Sequence, residues 1–109
     1  MLVTMYEGSV GATVDPDLTE VRHIVCRGLA GLGARVFLFG SWARGQARRT
    51  SDIDVGILPQ APLPPGVMGL IREALEESAV MRSVDLIDLS TADQTFRELI
   101  LREAIPWNE

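Results

Sequence analysis

The sequence predicts a layered α+β domain, a short mixed sheet with helices packed on it in the order α-β-β-α-β-α. Three observations lead there. Residues 17–32 and 67–78 carry apolar side chains at helical spacing, whereas 36–39 and 52–58 are short runs rich in β-formers. All of this falls within 109 residues, enough for one hydrophobic core and too few for two.

Residues 1–14 show no clear period and contain Gly8 and Gly11, so they read as an N-terminal arm with room for a short strand. The folded domain is expected over 15–109. Asp15-Pro16-Asp17 opens the first helix, because proline is tolerated in a first turn and Asp17 with Glu20 fits a capping box. Leu18, Val21, Val25, Leu29 and Leu32 form its apolar stripe, and Gly31 and Gly33 end it. Val36 to Phe39 is wholly apolar, as a buried central strand would be, and breaks at Gly40. A turn or short helical segment from Ser41 to Gly45 leads into a polar, basic loop, Gln46 to Ser51.

From Asp52 to Leu58 the pattern alternates: Asp52, Asp54, Gly56 and Leu58 share one face, and Ile53, Val55 and Ile57 the other. Pro59 stops this strand, and a proline-rich linker runs to Pro65. Val67, Leu70, Ile71, Ala74, Leu75 and Ser78 define the second helix. Ser83 to Leu89 is the third strand. Thr91 with Gln94 caps a last helix bearing Phe96, Leu99 and Ile100, which Pro106 ends.

Composition narrows the function. The formal net charge is −5 and the pI about 4.8, so stable nucleic-acid binding is not expected. All ten basic residues are arginine, which excludes a Walker-type lysine on phosphate. One cysteine and one histidine cannot build a disulfide or a zinc site. With neither a signal-peptide pattern nor a membrane-length apolar run, the expected location is the cytoplasm.

The chemistry lies in Gly40-Ser41, ten intervening residues, and Asp52-Ile53-Asp54. Carboxylates at i and i+2 of a strand point to the same side, with backbones about 7 Å apart. They can ligate one or two hard cations, since Mg²⁺ takes one or two carboxylates plus substrate phosphates. Gly40 lets backbone approach a phosphate, and Ser41 offers a hydroxyl and an amide N–H. Gly56 adds no bulk beside Asp54. A two-cation site calls for a third carboxylate, and Asp85 and Asp88 are the candidates. The helix between the second and third strands favours a parallel pair with aligned starts. Asp85 then falls level with the first two carboxylates, while Asp88 lies about 10 Å on and on the opposite face.

The string GSWARGQARRTSDIDVGIL resembles the G-S-(x)10-D-x-D signature of the DNA polymerase β-like nucleotidyltransferase superfamily, and VDLIDL resembles its third-carboxylate strand. Within that superfamily the chain is most similar to the stand-alone minimal nucleotidyltransferases, from about Asp17 to the C-terminus. The resemblance implies the small nucleotidyltransferase fold and transfer of AMP from ATP. It gives Gly40 and Ser41 to the nucleotide and Asp52, Asp54 and Asp85 to a two-ion Mg²⁺ site; Arg44, inside the motif, is a further nucleotide-binding candidate that could instead meet an acidic partner surface. Asp85 would also help activate the acceptor hydroxyl. It further implies an antitoxin that modifies a tyrosine of a HEPN-type toxin and associates with it. Trp42 fills a variable position of the motif, and Ala104 stands where such domains often have glycine.

Plainer readings attach to other residues. His23 is off the apolar stripe and reads as a surface histidine, and Cys26 as a small packing residue. Arg48 and Arg49 suit a solvated basic loop as well as a phosphate site. Trp42 can cover the core or stack on a base, and Trp107 is expected to dock on the core or on a partner. Two other functions compete with protein-directed transfer: neutralising a partner by masking alone, and transfer to a small molecule or RNA end.

Overall fold

The first helix begins where an aspartate can cap it. In the computed structural model, which describes residues 15–108, the Asp15 side chain accepts hydrogen bonds from the backbone N–H groups of Asp17 (2.9 Å) and Leu18 (3.3 Å). Asp15 is therefore the N-cap, with Pro16 in the first turn, and the expected Asp17–Glu20 capping box does not form. The arm expected at 1–14 lies outside the described residues.

The elements are α1 (Pro16–Gly28), β1 (Ala34–Phe39), β2 (Ile53–Pro59), α2 (Val67–Glu76) and β3 (Val84–Asp88), then a 3-10 turn (Leu89–Thr91), α3 (Gln94–Glu103) and β4 (Ile105–Pro106). They make a mixed sheet in the order β3-β2-β1-β4. β1 pairs antiparallel with β2, and β2 pairs in parallel with β3 through the α2 crossover. The expected α+β class and the expected element order are both found, with one strand added at the C-terminal end.

Strand alternation splits the molecule into two apolar layers. Val36 and Leu38 of β1, Ile53, Val55 and Ile57 of β2 and Leu86 of β3 pack under α1 and α2, joining Leu18, Val21, Val25, Ile71 and Leu75. On the other face Phe37, Leu89 and Ile100 are buried together, with Phe39, Leu58 and Ile87 at their margin. Because α3 covers this second face, Val36–Leu38 is buried on both sides. No described helix is long and apolar enough to cross a membrane.

Several boundaries differ from expectation. α1 stops at Gly28, and turns containing Gly31 and Gly33 carry the chain to β1. β2 includes Pro59, opposite Ala34, since an end position spares the missing N–H. Leu70 is 67% exposed and not part of the packed stripe of α2, while Phe96 and Leu99 of α3 are 45% and 54% exposed. β3 ends at Asp88, whose side chain caps the 3-10 turn through Ser90 N–H (2.9 Å). That turn consumes Thr91, and Asp93 caps α3 in its place through Thr95 N–H (3.1 Å).

The last residues form a strap along β1. Ile105 and Pro106 pair with Leu38 and Phe37. The buried Trp107 continues this strap, its N–H donating to Val36 O at 2.8 Å. Asn108 then extends the ladder with its side chain: Oδ1 accepts from Val36 N–H (3.0 Å) and Nδ2 donates to Ala34 O (2.8 Å). Arg22 of α1, in the layer that buries Trp107, fastens the strap, donating to Trp107 O at 2.8 Å. Replacing Asn108 by alanine removes both bonds and is expected to cost about 1–2 kcal/mol, measured as a lowered urea midpoint with unchanged m-value.

Candidate functional site

The topology gathers one end of three strands. β1 finishes at Phe39, while β2 and β3 start beside it because β2 reverses β1 and β3 copies β2. Asp54 is opposite Phe39 on one side and Asp85 on the other. Asp52 lies two residues before Asp54, just ahead of the strand. The sequence expectation of Asp85 is thus matched in register. Asp88 is opposite Ile57, three positions away, and is spent on its cap.

Asp52 and Asp85 are exposed and Asp54 is half-buried. Burial pushes the Asp54 carboxyl above its ordinary pKa of 3.8, and the negative charges of Asp85 and Asp52 push it in the same direction. Arg44 opposes them. Among the described residues no three His, Cys, Asp or Glu side chains close into a metal-holding cluster. The three carboxylates therefore form an open, mutually repelling array rather than a cage.

The turn after β1 lies against this array. Gly40 has φ +75°, and a Cβ placed on it would overlap the Asp54 carboxylate. No side chain fits there. Gly40 O accepts hydrogen bonds from the N–H groups of Ala43 and Arg44, both at 3.1 Å, so one turn of helix-like bonding begins at Ser41. Gln46 N–H closes it on Ser41 O at 2.9 Å. Arg44 leans over the turn, donating to Gln46 (3.2 Å) and to Glu103 at the end of α3 (3.3 Å). Gly56, expected to keep space clear beside Asp54, has a different reason to lack a side chain: a Cβ there would come within 2.9 Å of Leu89.

The loop between Ser41 and Asp52 is pinned by Trp42 and by Arg82, which sequence reading passed over. Trp42 packs against the core and donates its indole N–H to Ser51 O at 3.4 Å, which favours the core-covering role over base stacking. The Arg82 guanidinium lies 4.9 Å from the centre of the Trp42 ring. It donates to Arg49 O (2.8 Å), Asp15 (3.0 Å) and Asp17 (3.2 Å). An open cleft of ≈ 630 Å³ beside them is lined in part by Arg49, Asp52, Arg82 and Ser83. Nothing in the sequence marks Arg82, a lone arginine ahead of a strand and outside any period or motif. His23 is exposed and Cys26 half-buried, as expected.

With this geometry in hand, residues 34–106 match the family model described as polymerase beta, nucleotidyltransferase. The chain belongs to that family. Over 65 residues it is 38% identical to the "Probable protein adenylyltransferase MntA" of Haemophilus influenzae. That match covers 60% of this chain and 57% of the relative, so the chain spans little more than half of that protein's length. A solved structure described as a minimal nucleotidyltransferase superposes with TM-score 0.65 at 34% identity, covering 82% of this chain and 91% of that one. A toxin–antitoxin structure determined with AMP-PNP superposes with TM-score 0.62 at 25% identity, covering 79% of this chain and 71% of the other. The expected nucleotidyltransferase fold is therefore the fold of this family member.

Gly40 and Asp54 can each be probed by substitution. Gly40→Ala forces a left-handed alanine and displaces Asp54, and is expected to cost about 1–3 kcal/mol in chemical denaturation. Asp54 binds its proton more tightly folded than unfolded, so stability falls as pH rises above 3.8 through the raised folded value. Asp54→Asn removes that loss. The variant is expected to melt above the wild type at pH 7, with the gap closing below pH 3.8.

Proposed function

We propose that this protein is a Mg²⁺-dependent nucleotidyltransferase that moves AMP from ATP to a tyrosine hydroxyl of a HEPN-type toxin and so acts as its antitoxin. The observation that carries the reading is the level placement of Asp54 and Asp85 on paired strands, with Gly40 pressed against Asp54. Family membership and the similarity to a protein named as an adenylyltransferase support the reaction class. The similarity to a toxin–antitoxin structure with AMP-PNP supports the nucleotide and the kind of partner.

The donor set suits Mg²⁺. Asp52, Asp54 and Asp85 supply hard oxygen ligands, and an open array suffices because phosphate oxygens complete the shell. Burial first and the neighbouring carboxylates second raise the Asp54 pKa, and a cation would neutralise the charge of those carboxylates. Bound Mg²⁺ would screen the triphosphate from these carboxylates and stabilise the leaving pyrophosphate. Asp52 and Asp54 would hold the cations, and Asp85 would complete the set.

Gly40 keeps the backbone close to the phosphates, and Ser41 offers them its hydroxyl and N–H at the start of the turn. Arg44, already bonded to Gln46 and Glu103 at the rim, adds positive charge there. The acceptor hydroxyl gives its proton to Asp85 as its oxygen attacks the α-phosphorus. The bond from that phosphorus to the α,β-bridging oxygen breaks, and pyrophosphate departs. The protein acts in the cytoplasm, in complex with the toxin it modifies.

Intact mass spectrometry of the co-purified partner tests it. The wild type is expected to leave AMP-sized increments on the partner, and Asp54→Asn to slow transfer by at least about a hundredfold without unfolding. An unmodified partner that binds the wild type and an Asp52→Asn/Asp54→Asn variant equally would replace transfer with masking.

A further inference from the structure

We infer that Arg82 is a positioning residue that holds Asp52 at the cation site, an inference that rests on the reading above. One guanidinium joins four pieces of the chain. Its Nε donates to Arg49 O at 2.8 Å, inside the loop that leads to Asp52. One terminal nitrogen donates to Asp15 at 3.0 Å and Asp17 at 3.2 Å, at the start of α1. Its flat face covers Trp42, the residue after Ser41. Its own backbone N–H, with that of Met81, donates to Asp17 at 3.2 and 3.3 Å, which fixes the approach to β3 three residues before Asp85.

Asp52 has few supports of its own. It is exposed, and it sits between Ser51, held by the Trp42 indole through its carbonyl, and Ile53, whose N–H reaches Ser83 O at 2.9 Å. Arg82 stands behind both supports. It is adjacent to Ser83 in the chain, it orients the Trp42 ring, and it grips the loop directly at Arg49 O. The guanidinium makes no hydrogen bond or ion pair with Asp52 itself. Its effect reaches the site through the loop, across the cleft that Arg82 and Asp52 both line.

The chemistry calls for arginine specifically. The contacts use Nε in one direction, a terminal nitrogen in another and the planar face in a third. Lysine carries the charge on one rotating ammonium and cannot satisfy three directions at once. The buried core does not include Arg82, and its side chain keeps 19% of its surface exposed. Loss of the guanidinium should therefore loosen the loop while leaving the two apolar layers packed.

The test is Mn²⁺ binding to the nucleotide-free protein, read as free Mn²⁺ by electron paramagnetic resonance, with thermal melting alongside. Mn²⁺ is a suitable probe because carboxylate oxygens take it as they take Mg²⁺. Arg82→Met is expected to weaken Mn²⁺ binding about tenfold. It should raise the Mg²⁺ needed for half-maximal transfer by a similar factor, while the rate at saturating Mg²⁺ stays within about threefold of wild type. Arg82→Lys should recover only part of the affinity. Trp42→Phe keeps a ring under the guanidinium but loses the bond to Ser51 O, and should shift Mn²⁺ binding the same way by a smaller factor. Unchanged Mn²⁺ affinity in a folded Arg82→Met protein would overturn the inference and leave the transferase reading standing. So would full recovery by lysine, which would reduce Arg82 to its charge. A wild type that binds no Mn²⁺ takes down the cation site and this inference with it. Should Arg82→Met unfold, wild-type affinity in Trp42→Phe overturns the inference.

Discussion

Asp54 faces Asp85 because β2 and β3 pair in parallel, and Asp54 lies beside the end of β1 because that neighbour runs the other way. Both pairings are needed. A parallel pair alone would align two carboxylates but leave the Gly40 turn at the far end of the sheet. An antiparallel pair alone would bring the turn near Asp54 without Asp85. A one-residue slip would turn Asp85 toward the α1–α2 core, where an unpaired charge is far more costly than at the sheet's end. The apolar alternation that buries Ile53, Val55 and Ile57 therefore also holds the carboxylates out on the other face.

The resulting site is electrostatically uncomfortable without a counter-charge. Asp54 shares its surroundings with two other carboxylates, and Arg44, the cation opposing them, is bonded to Glu103 at the rim. Arg82, the best anchored cation near the site, has its charge matched by Asp15 and Asp17. An array with this balance repels a bare anion. The acidic balance of the whole chain points the same way.

Where sequence reading missed, local and distant candidates competed for one role. Asp15 and Asp17 can both cap a helix at 15–17. Arg82 bonds both, and Asp15 took the cap because it precedes the first turn, where its Oδ1 reaches the free N–H groups of Asp17 and Leu18. Thr91 lost the cap of α3 to Asp93 once Leu89–Thr91 folded as a 3-10 turn over Gly56. Leu70, Phe96 and Leu99 fit their helical periods yet lie in solvent, because a period identifies a face and not what covers it. β4 was hidden because its pairing partners lie 67 and 69 residues away, at Leu38↔Ile105 and Phe37↔Pro106, and its two residues have no period to detect.

The sequence by itself determined the α+β class, the buried strands and the carboxylates of the candidate site. These depend on short-range alternation, on spacing within one motif and on the handed, parallel crossover that a strand–helix–strand unit imposes. Only the tertiary structure decided how the loop before Asp52 is held, why Gly56 is glycine and that a C-terminal strap closes the β1 edge. Each of these is a contact between residues far apart in the chain. Arg82 with Asp15, Leu89 over Gly56 and Asn108 on Val36 depend on packing that no local pattern records.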